Sequence, residues 1–371
     1  MHKFKNNASY ILAPSTKAFD LIALEDFAPL ALESMLISKN PAYMHDSHFK
    51  EDLSKEGFCI RTVNGTAKII LGKEFEPTLY RGQNKDYGNL TPSYLRIDKT
   101  KNPVEHCVQY VKREEFKRAF SRTSYCTFLS KLKIMGYHLE IDLDAIAQHY
   151  EFPTNYLDVT KDIRVALFFA YTQYVNGKYY PIDNFKNAEF KPVLYVTNLA
   201  QLLFDNPILT TVGFQGISRP QKQFAMALKM SDNQKDAFQH FYKIELPADP
   251  LISRAIYNSF NKGESLFAQD PINDIRTTIL DSKLLCEDLF LQYCEKYNIE
   301  KENLIAELSK NGFTIKNWDM PIDVKMETDI IQNIHKNLIP WIKKNISYRK
   351  VCRPKSNDEG IKIDISPSSF L

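Results

Sequence analysis

Glycine is scarce in this chain. Twelve glycines in 371 residues argue against a nucleotide fold built on many tight glycine-rich loops. The six cysteines, Cys59, Cys107, Cys126, Cys286, Cys294 and Cys352, include no Cys-x-x-Cys pair, so free cytosolic thiols are expected. No stretch approaches the ~18 uninterrupted apolar residues of a membrane span. No apolar run of about 7–15 residues follows Lys3 and Lys5 as a secretory signal requires. A cytoplasmic protein without a membrane partner is the expectation. There is no internal repeat and no low-complexity tract, and the net charge of +3 is too small to name a partner.

Aromatic residues, by contrast, are abundant, with 24 Phe and 20 Tyr, enough for a substantial core. The chain is 44% hydrophobic and 25% charged, the balance of a globular protein. Charge is unevenly spread. From Lys99 to Lys133 nine Lys or Arg face three Glu, and from Lys336 to Lys355 seven basic residues meet no acid. Each stretch can be a solvated helix face or a surface for phosphate. His45 and His48 lack the further ligands of a structural zinc site, and no metal is expected.

Read in order, residues 1–74 give a helical entry segment, with Leu21, Ile22, Leu24, Leu30, Leu32, Met35, Leu36 and Ile37 at helical spacing, and the pattern turns extended around Lys68-Ile69-Ile70-Leu71-Gly72. Leu79-Tyr80-Arg81 suits a core strand ending at Gly82. Arg81 is a cation at the tip of a buried strand, and such a cation needs an ion-pair partner such as Asp158 or an anionic ligand. A helix follows from about Pro103 to Leu132, with Lys112, Arg113, Lys117, Arg118 and Arg122 on one side. Residues 173–191 form a polar, Tyr-rich insertion. Strands are expected at 192–197, 225–228 and 241–246. The block from Ile279 to Ile346 reads helical, and Ile361, Ile363 and Ile365 alternate like an edge strand. Strands before and after a helical middle, without regular βαβ spacing, indicate an α+β fold.

The densest stretch runs from Gln148-His149-Tyr150 through Pro153-Thr154 to Tyr156-Leu157-Asp158-Val159-Thr160. It reads as a helix end, a turn and a short strand, and it opens into the apolar helix Val165-Ala166-Leu167-Phe168-Phe169-Ala170. Thr160 is placed to cap that helix, with Asp162 in its first turn. Asp158 and Thr160 are thus polar groups at the mouth of a buried helix, which is costly unless they are satisfied or used.

Together, Leu79-Tyr80-Arg81-Gly82-Gln83, Thr91-Pro92-Ser93-Tyr94-Leu95-Arg96 and Gln148-His149-Tyr150 through Thr160 resemble the FRG domain family. Arg219…Gln223-Phe224 and Ser265-Leu266-Phe267 stand where that family has further motifs. The resemblance covers about residues 75–276 and leaves a helical region with a basic tail, 277–371. Val159 stands where Trp is expected and Glu151 where Gly is expected. Tyr80-Arg81-Gly82, Asp158-Val159-Thr160 and Gln221-Lys222-Gln223 also resemble, in order, the three motifs of mono-ADP-ribosyltransferases. That likeness implies a split β-sheet core flanked by helices, with helical additions at both ends.

The same resemblance implies a function. It makes the chain an intracellular NAD-dependent ADP-ribosyltransferase, a toxin or anti-phage effector whose acceptor is RNA, DNA or protein and whose control rests with an antitoxin or regulatory protein. Arg81, Asp158, Thr160 and Gln223 become the catalytic set. Tyr80, Arg81, Gly82, Gln83, His149, Tyr150 and Tyr156 become the NAD-binding set, with a tyrosine stacked on nicotinamide. An arginine fork suits the pyrophosphate, and cleavage proceeds through an oxocarbenium-like state. Gln223 can hydrogen-bond a ribose but cannot take a proton; either another acid, Glu264 for example, supplies the charge, or the acceptor needs no base, or the site binds without turnover. Two other readings stand beside this one. One is a non-catalytic module that senses NAD or ADP-ribose and engages a partner protein. The other is a nucleic-acid binder that relies on Lys112, Arg113, Lys117, Arg118 and Arg122.

Overall fold

The computed structural model describes residues 78–131, 133–134, 137–139, 141–175, 177–185, 189–198, 208–210, 212, 217–231, 236–267, 270–322 and 324–338, with strand segments at 10–11, 58–63, 66–71 and 363–364. In chain order its strands are β1 Tyr10–Ile11, β2 Phe58–Val63, β3 Thr66–Leu71, β4 Thr78–Gln83, β5 Lys133–Ile134, β6 Tyr137–Leu139, β7 Tyr156–Thr160 and β8 Thr172–Val175. They continue as β9 Lys178–Pro181, β10 Val193–Asn198, β11 Ile208–Thr210, β12 Ala225–Lys229, β13 Tyr242–Glu245, β14 Leu284–Cys286, β15 Thr314–Lys316 and β16 Ile363–Asp364. Its helices are α1 Pro103–Ser121, α2 Ser124–Lys131, α3 Leu143–His149, α4 Ile163–Tyr171, α5 Ser218–Lys222, α6 Pro250–Ser259, α7 Ile272–Asp281, α8 Glu287–Tyr297, α9 Lys301–Lys310 and α10 Val324–Asn333.

The fold is mixed α/β, as the segment pattern implied. Its main sheet runs β1-β13-β10-β4-β7-β12-β11 and is antiparallel except for the β1–β13 pair. A second sheet runs β16-β5-β6-β3-β2. Within the entry segment the extended pattern around residues 68–71 falls on β3, and the structure adds the strand before it. Phe58–Val63 pairs antiparallel with Thr66–Leu71, where Ile, Val and Thr favour extended backbone. Leu21 to Ile37, His45 and His48 lie outside the described residues. The Tyr-rich insertion holds the hairpin β8–β9. The alternation at Ile363 agrees with an edge strand, since β16 pairs with β5. Among its described residues the C-terminal block carries the helices α8, α9 and α10, with the short parallel pair β14–β15.

Two helices explain the layering. α4 lies against the main sheet, where Ile163, Ala166, Leu167 and Ala170 pack with Leu194, Val196 and Ile244. Its N-cap is Asp162, whose carboxylate accepts from Arg164 N–H at 2.8 Å. Thr160, read as the cap, sits two residues earlier and accepts from Asp162 N–H at 3.0 Å. α4 passes so close to β4 that a Cβ on Gly82 would stand 1.7 Å from the Ala166 carbonyl oxygen. Only glycine fits there. α1 begins on Pro103, a residue already set for the first helical position. It carries Phe116 and Phe120 into one core and Cys107, Val111 and Tyr110 into another, shared with Leu285, Phe290 and Tyr293 of the C-terminal block.

Candidate functional site

The site begins where the main sheet parts. β4 pairs with β10 along its whole length, from Thr78 opposite Asn198 to Gln83 opposite Val193. β7 pairs along its length with β12. Between β4 and β7, however, Tyr80 opposite Thr160 is the one registered pair. Arg81 is the next residue into the divergence. Its Nη1 donates to the Asp158 main-chain carbonyl at 2.8 Å, so a guanidinium spans the gap that ladder hydrogen bonds would otherwise close. Arg81 is half-buried. Desolvation pulls its pKa below the ordinary arginine value, Asp158 opposes that pull, and Arg96 adds to it. The exposed Arg96 is thus a second cation within electrostatic reach.

Asp158 projects toward α3. Gln148 Nε2 donates to its Oδ2 at 3.0 Å, and Gln148 Oε1 accepts from Thr154 Oγ1 at 2.6 Å. Its other oxygen, Oδ1, lies 3.6 Å from His149 Nε2. His149 is buried, and desolvation outweighs the attraction of Asp158 and lowers its pKa, with Arg219 acting in the same direction as burial. The ring is therefore neutral at pH 7. Gln223 closes this side of the site and interacts with His149. Its main-chain carbonyl accepts from Thr160 Oγ1 at 2.7 Å, and its Nε2 donates to the Leu266 carbonyl at 3.3 Å.

Arg81, Asp158, Thr160, His149 and Gln223 therefore belong to one constellation on the neighbouring strands β4 and β7, the end of α3 and the turn that follows α5. The roles within it differ from expectation. The Thr160 hydroxyl is committed, donating to Gln223 and accepting from Asp162. Gly82 serves the packing of α4 on β4. Gln83 lies beyond Arg81 on the same strand, with a buried Oε1.

Two of the tyrosines are a correction. Tyr150 is 0% exposed and donates to Asp270 Oδ2 at 2.7 Å, and Tyr156 is 2% exposed and donates to Asp142 Oδ2 at 2.5 Å. These two rings are core material rather than ligand platforms. Tyr80 is half-buried, stands opposite Thr160 and packs on the α4 side against Ile163, Ala166 and Leu194.

A neighbouring network was not anticipated. Glu151, where Gly was expected, has φ of 70°, the left-handed backbone that favours glycine. Its carboxylate compensates by joining three elements. Arg219 of α5 lies 3.1 Å from Oε1, Arg276 of α7 reaches Oε2, and Tyr174 of β8 donates to Oε2 at 2.6 Å. Burial pushes the Glu151 carboxyl up, but Tyr174, Arg219 and Arg276 together hold it below its usual range. Arg219 is itself buried, with its guanidinium 4.9 Å from the Phe267 ring centre. Tyr179, on β9, interacts with Arg219, Glu151 and Asp158 and so links the two networks. One sequence signal for Arg219 was its position four residues before Gln223. Tyr179 had none.

Among the described residues, the buried polar atoms without a hydrogen-bond partner gather here. They include Arg81 Nε, Gln83 Oε1, His149 Nε2, Asp158 Oδ1, Arg219 Nε and Arg276 Nε. Buried polar groups are normally paired, so such a concentration marks a place prepared for another molecule's donors and acceptors. No group of three or more His, Cys, Asp or Glu among the described residues is arranged to hold a metal. No described helix is long and apolar enough to cross a membrane.

No curated protein and no solved structure matches the chain. The later motifs at Gln223 and Leu266 lie beyond the segment that a family does match. That segment is residues 76–178, which carry Arg81, Gly82, His149, Asp158 and Thr160, and it matches the FRG domain.

Proposed function

We propose that this chain is an NAD-dependent ADP-ribosyltransferase with an ADP-ribosyltransferase-like split sheet, working in the cytoplasm as a toxin or anti-phage effector. The observation that carries the reading is the parting of β4 from β7. There Arg81, Asp158 and, in the turn before β12, Gln223 converge, and Arg81 Nε, Asp158 Oδ1 and His149 Nε2 are buried without a hydrogen-bond partner, the last two 3.6 Å apart. In this reading Arg81 binds the dinucleotide phosphates, with Arg96 as an outer cation. Asp158, held by Gln148, receives ribose hydroxyls and stabilises the positive charge that develops as the bond to nicotinamide breaks. His149, neutral, supplies one more hydrogen bond. The toxin and defence context comes from the FRG resemblance alone.

The acceptor is a protein or a nucleic acid. The cations of α1 do not favour the latter, because each is paired within the molecule. Lys112 donates to the Leu280 and Ser282 carbonyls, Arg113 and Lys117 meet Glu114 and Asp144, and Arg118 and Arg122 meet Asp319.

One observation favours a second reading. Gln223 cannot ionise, and its amide is tied to the Leu266 carbonyl. Glu264, the acid considered for the missing charge, is exposed, and its carboxylate accepts from Asn261 at 2.6 Å. A site without an acid at that place suits a module that binds NAD or ADP-ribose and reports it to a partner or antitoxin protein. Mass spectrometry of NAD incubated with wild type and Arg81→Ala, with and without cell extract, separates the two. Nicotinamide release or ADP-ribosyl transfer by wild type, lost in Arg81→Ala, supports the transferase. Saturable NAD binding with no product supports the sensor. Neither binding nor product removes both.

A further inference from the structure

Phe224 sits where two independent irregularities coincide. Five described non-glycine residues have positive φ, namely Glu151, Phe224, Asn261, Lys262 and Asn298, and Phe224 is the apolar one among them. Among the described residues it is also the one phenylalanine in the set of exposed large hydrophobic side chains, at 41% exposure. Asparagine visits the left-handed region at modest cost, but a bulky aromatic there is an outlier. Sequence pressure alone would place glycine at this position just past the end of α5.

The backbone around Phe224 is over-determined. On one side the Gln223 carbonyl accepts from Thr160 Oγ1 at 2.7 Å, and on the other the Phe224 carbonyl accepts from Lys161 N–H at 3.4 Å. Ala225 follows directly in register with Thr160. The ring is therefore carried on a rigid corner, in water, one residue from Gln223. Strain held at such a corner is a sign of use. Of the rings expected to stack on a ligand, Tyr150 and Tyr156 lie in the core and Tyr80 packs against α4, so an exposed ring beside Gln223 is the flat apolar surface left open to a ligand.

We infer that Phe224 is the platform on which a heteroaromatic ring of the bound dinucleotide stacks. The inference rests on the dinucleotide reading above and adds to it the residue that recognises the planar ring. Nicotinamide and adenine share that chemistry, and the ligands used in the test distinguish them.

The test is isothermal titration of NAD, nicotinamide mononucleotide and ADP-ribose into wild type, Phe224→Gly, Phe224→Leu and Phe224→Tyr, with a thermal melt of each. Phe224→Gly relieves the left-handed strain, so its melting temperature is expected to equal or exceed that of wild type. Its affinity for NAD is expected to fall about tenfold, the scale of one lost ring stack. Tyr restores affinity and Leu does not. A loss seen with the mononucleotide but not with ADP-ribose assigns nicotinamide, and the reverse assigns adenine. Wild-type affinity in Phe224→Gly, or equal affinity in the Leu and Tyr variants, overturns the inference while the dinucleotide reading stands. No binding of any of the three by wild type overturns that reading and this inference with it.

Discussion

Two clusters of cations in this protein look alike in the sequence and differ entirely in the structure. On α1, Lys112, Arg113, Lys117, Arg118 and Arg122 each reach a carboxylate or carbonyl, and several of those partners, Leu280, Ser282, Asp288, Asp319 and Met320, belong to the C-terminal block. Around the parted sheet, Arg81, Arg219 and Arg276 are few and separated in sequence, and each keeps a buried Nε without a partner among the described residues. The number of basic residues therefore says little. What separates glue from site is whether each donor finds its acceptor inside the molecule. The helix that seemed ready for nucleic acid fastens two halves of the fold, and the isolated arginine at a strand tip sits at the candidate site.

The comparison breaks most visibly at Arg81. Its replacement by alanine should cost at least about 100-fold in NAD turnover or affinity, roughly 2.7 kcal/mol, while the melting temperature stays close to that of wild type. A protein that instead unfolds would put Arg81 with the structural cations of α1.

Lys112→Met should show the reverse pattern. The stem is kept, but the Leu280 and Ser282 carbonyls, at 2.6 and 2.8 Å from Nζ, lose their donor. A destabilisation of about 2 kcal/mol in urea, with unchanged ligand affinity, is expected. Unchanged stability would show that α1 is not fastened to the C-terminal block through this side chain.

How much of this could be read beforehand depends on the range of the interaction. Leu79-Tyr80-Arg81 and Val193 to Thr197 declared themselves as strands through local β-formers, and Arg81 and Asp158 were paired in prospect. The need for glycine at 82 became visible only when α4 lay on β4, since nothing within the loop demands it. The three tyrosines were assigned to a ligand because their types suit stacking, yet core packing claimed Tyr150 and Tyr156. The extended pattern at residues 68–71 was legible, but helical periodicity further upstream concealed its partner, Phe58–Val63. Glu151 was noticed as a departure from glycine, and its φ of 70° gives that departure a physical meaning. The pairing of α1 was out of reach, because Asp319 stands about two hundred residues from Arg122.

A finer test lies beside Lys112. Glu115 Oε1 accepts from Cys286 N–H at 2.6 Å, but Oε2 is buried without a partner. Burial raises the Glu115 carboxyl to about 7, with the Cys286 N–H and Lys112 opposing it. A carboxyl whose folded pKa lies above its unfolded value favours the folded state while protonated. That contribution is fully present below pH 4.5, the ordinary value, and is lost as pH rises through about 7. Glu115→Gln keeps the acceptor for Cys286 and removes the titration. It should therefore stabilise the fold by about 1–3 kcal/mol at pH 8 and by little at pH 5. Equal effects at both pH values would show that Glu115 does not titrate in this window.

The smallest expected effect concerns the outer ties of α1, and it is the sharpest statement about nucleic acid. Lys117 lies 2.9 Å from Glu114 and 3.0 Å from Asp144, and Arg122 lies 2.8 Å from Asp319. These pairs are partly exposed and screened, so Lys117→Ala or Arg122→Ala should change stability by no more than about 1 kcal/mol. If the chain binds RNA or DNA at all, each substitution should leave the salt dependence of binding unchanged, because a cation already neutralised by a carboxylate displaces no counterion from phosphate. Were either side chain to neutralise a phosphate, its removal would instead lower the slope of log K against log salt by about 0.9 on duplex DNA and about 0.7 on a single strand. Measuring that slope for the two variants asks directly whether the ion pairs of α1 persist in the presence of a polyanion, which is the condition for treating them as part of the fold.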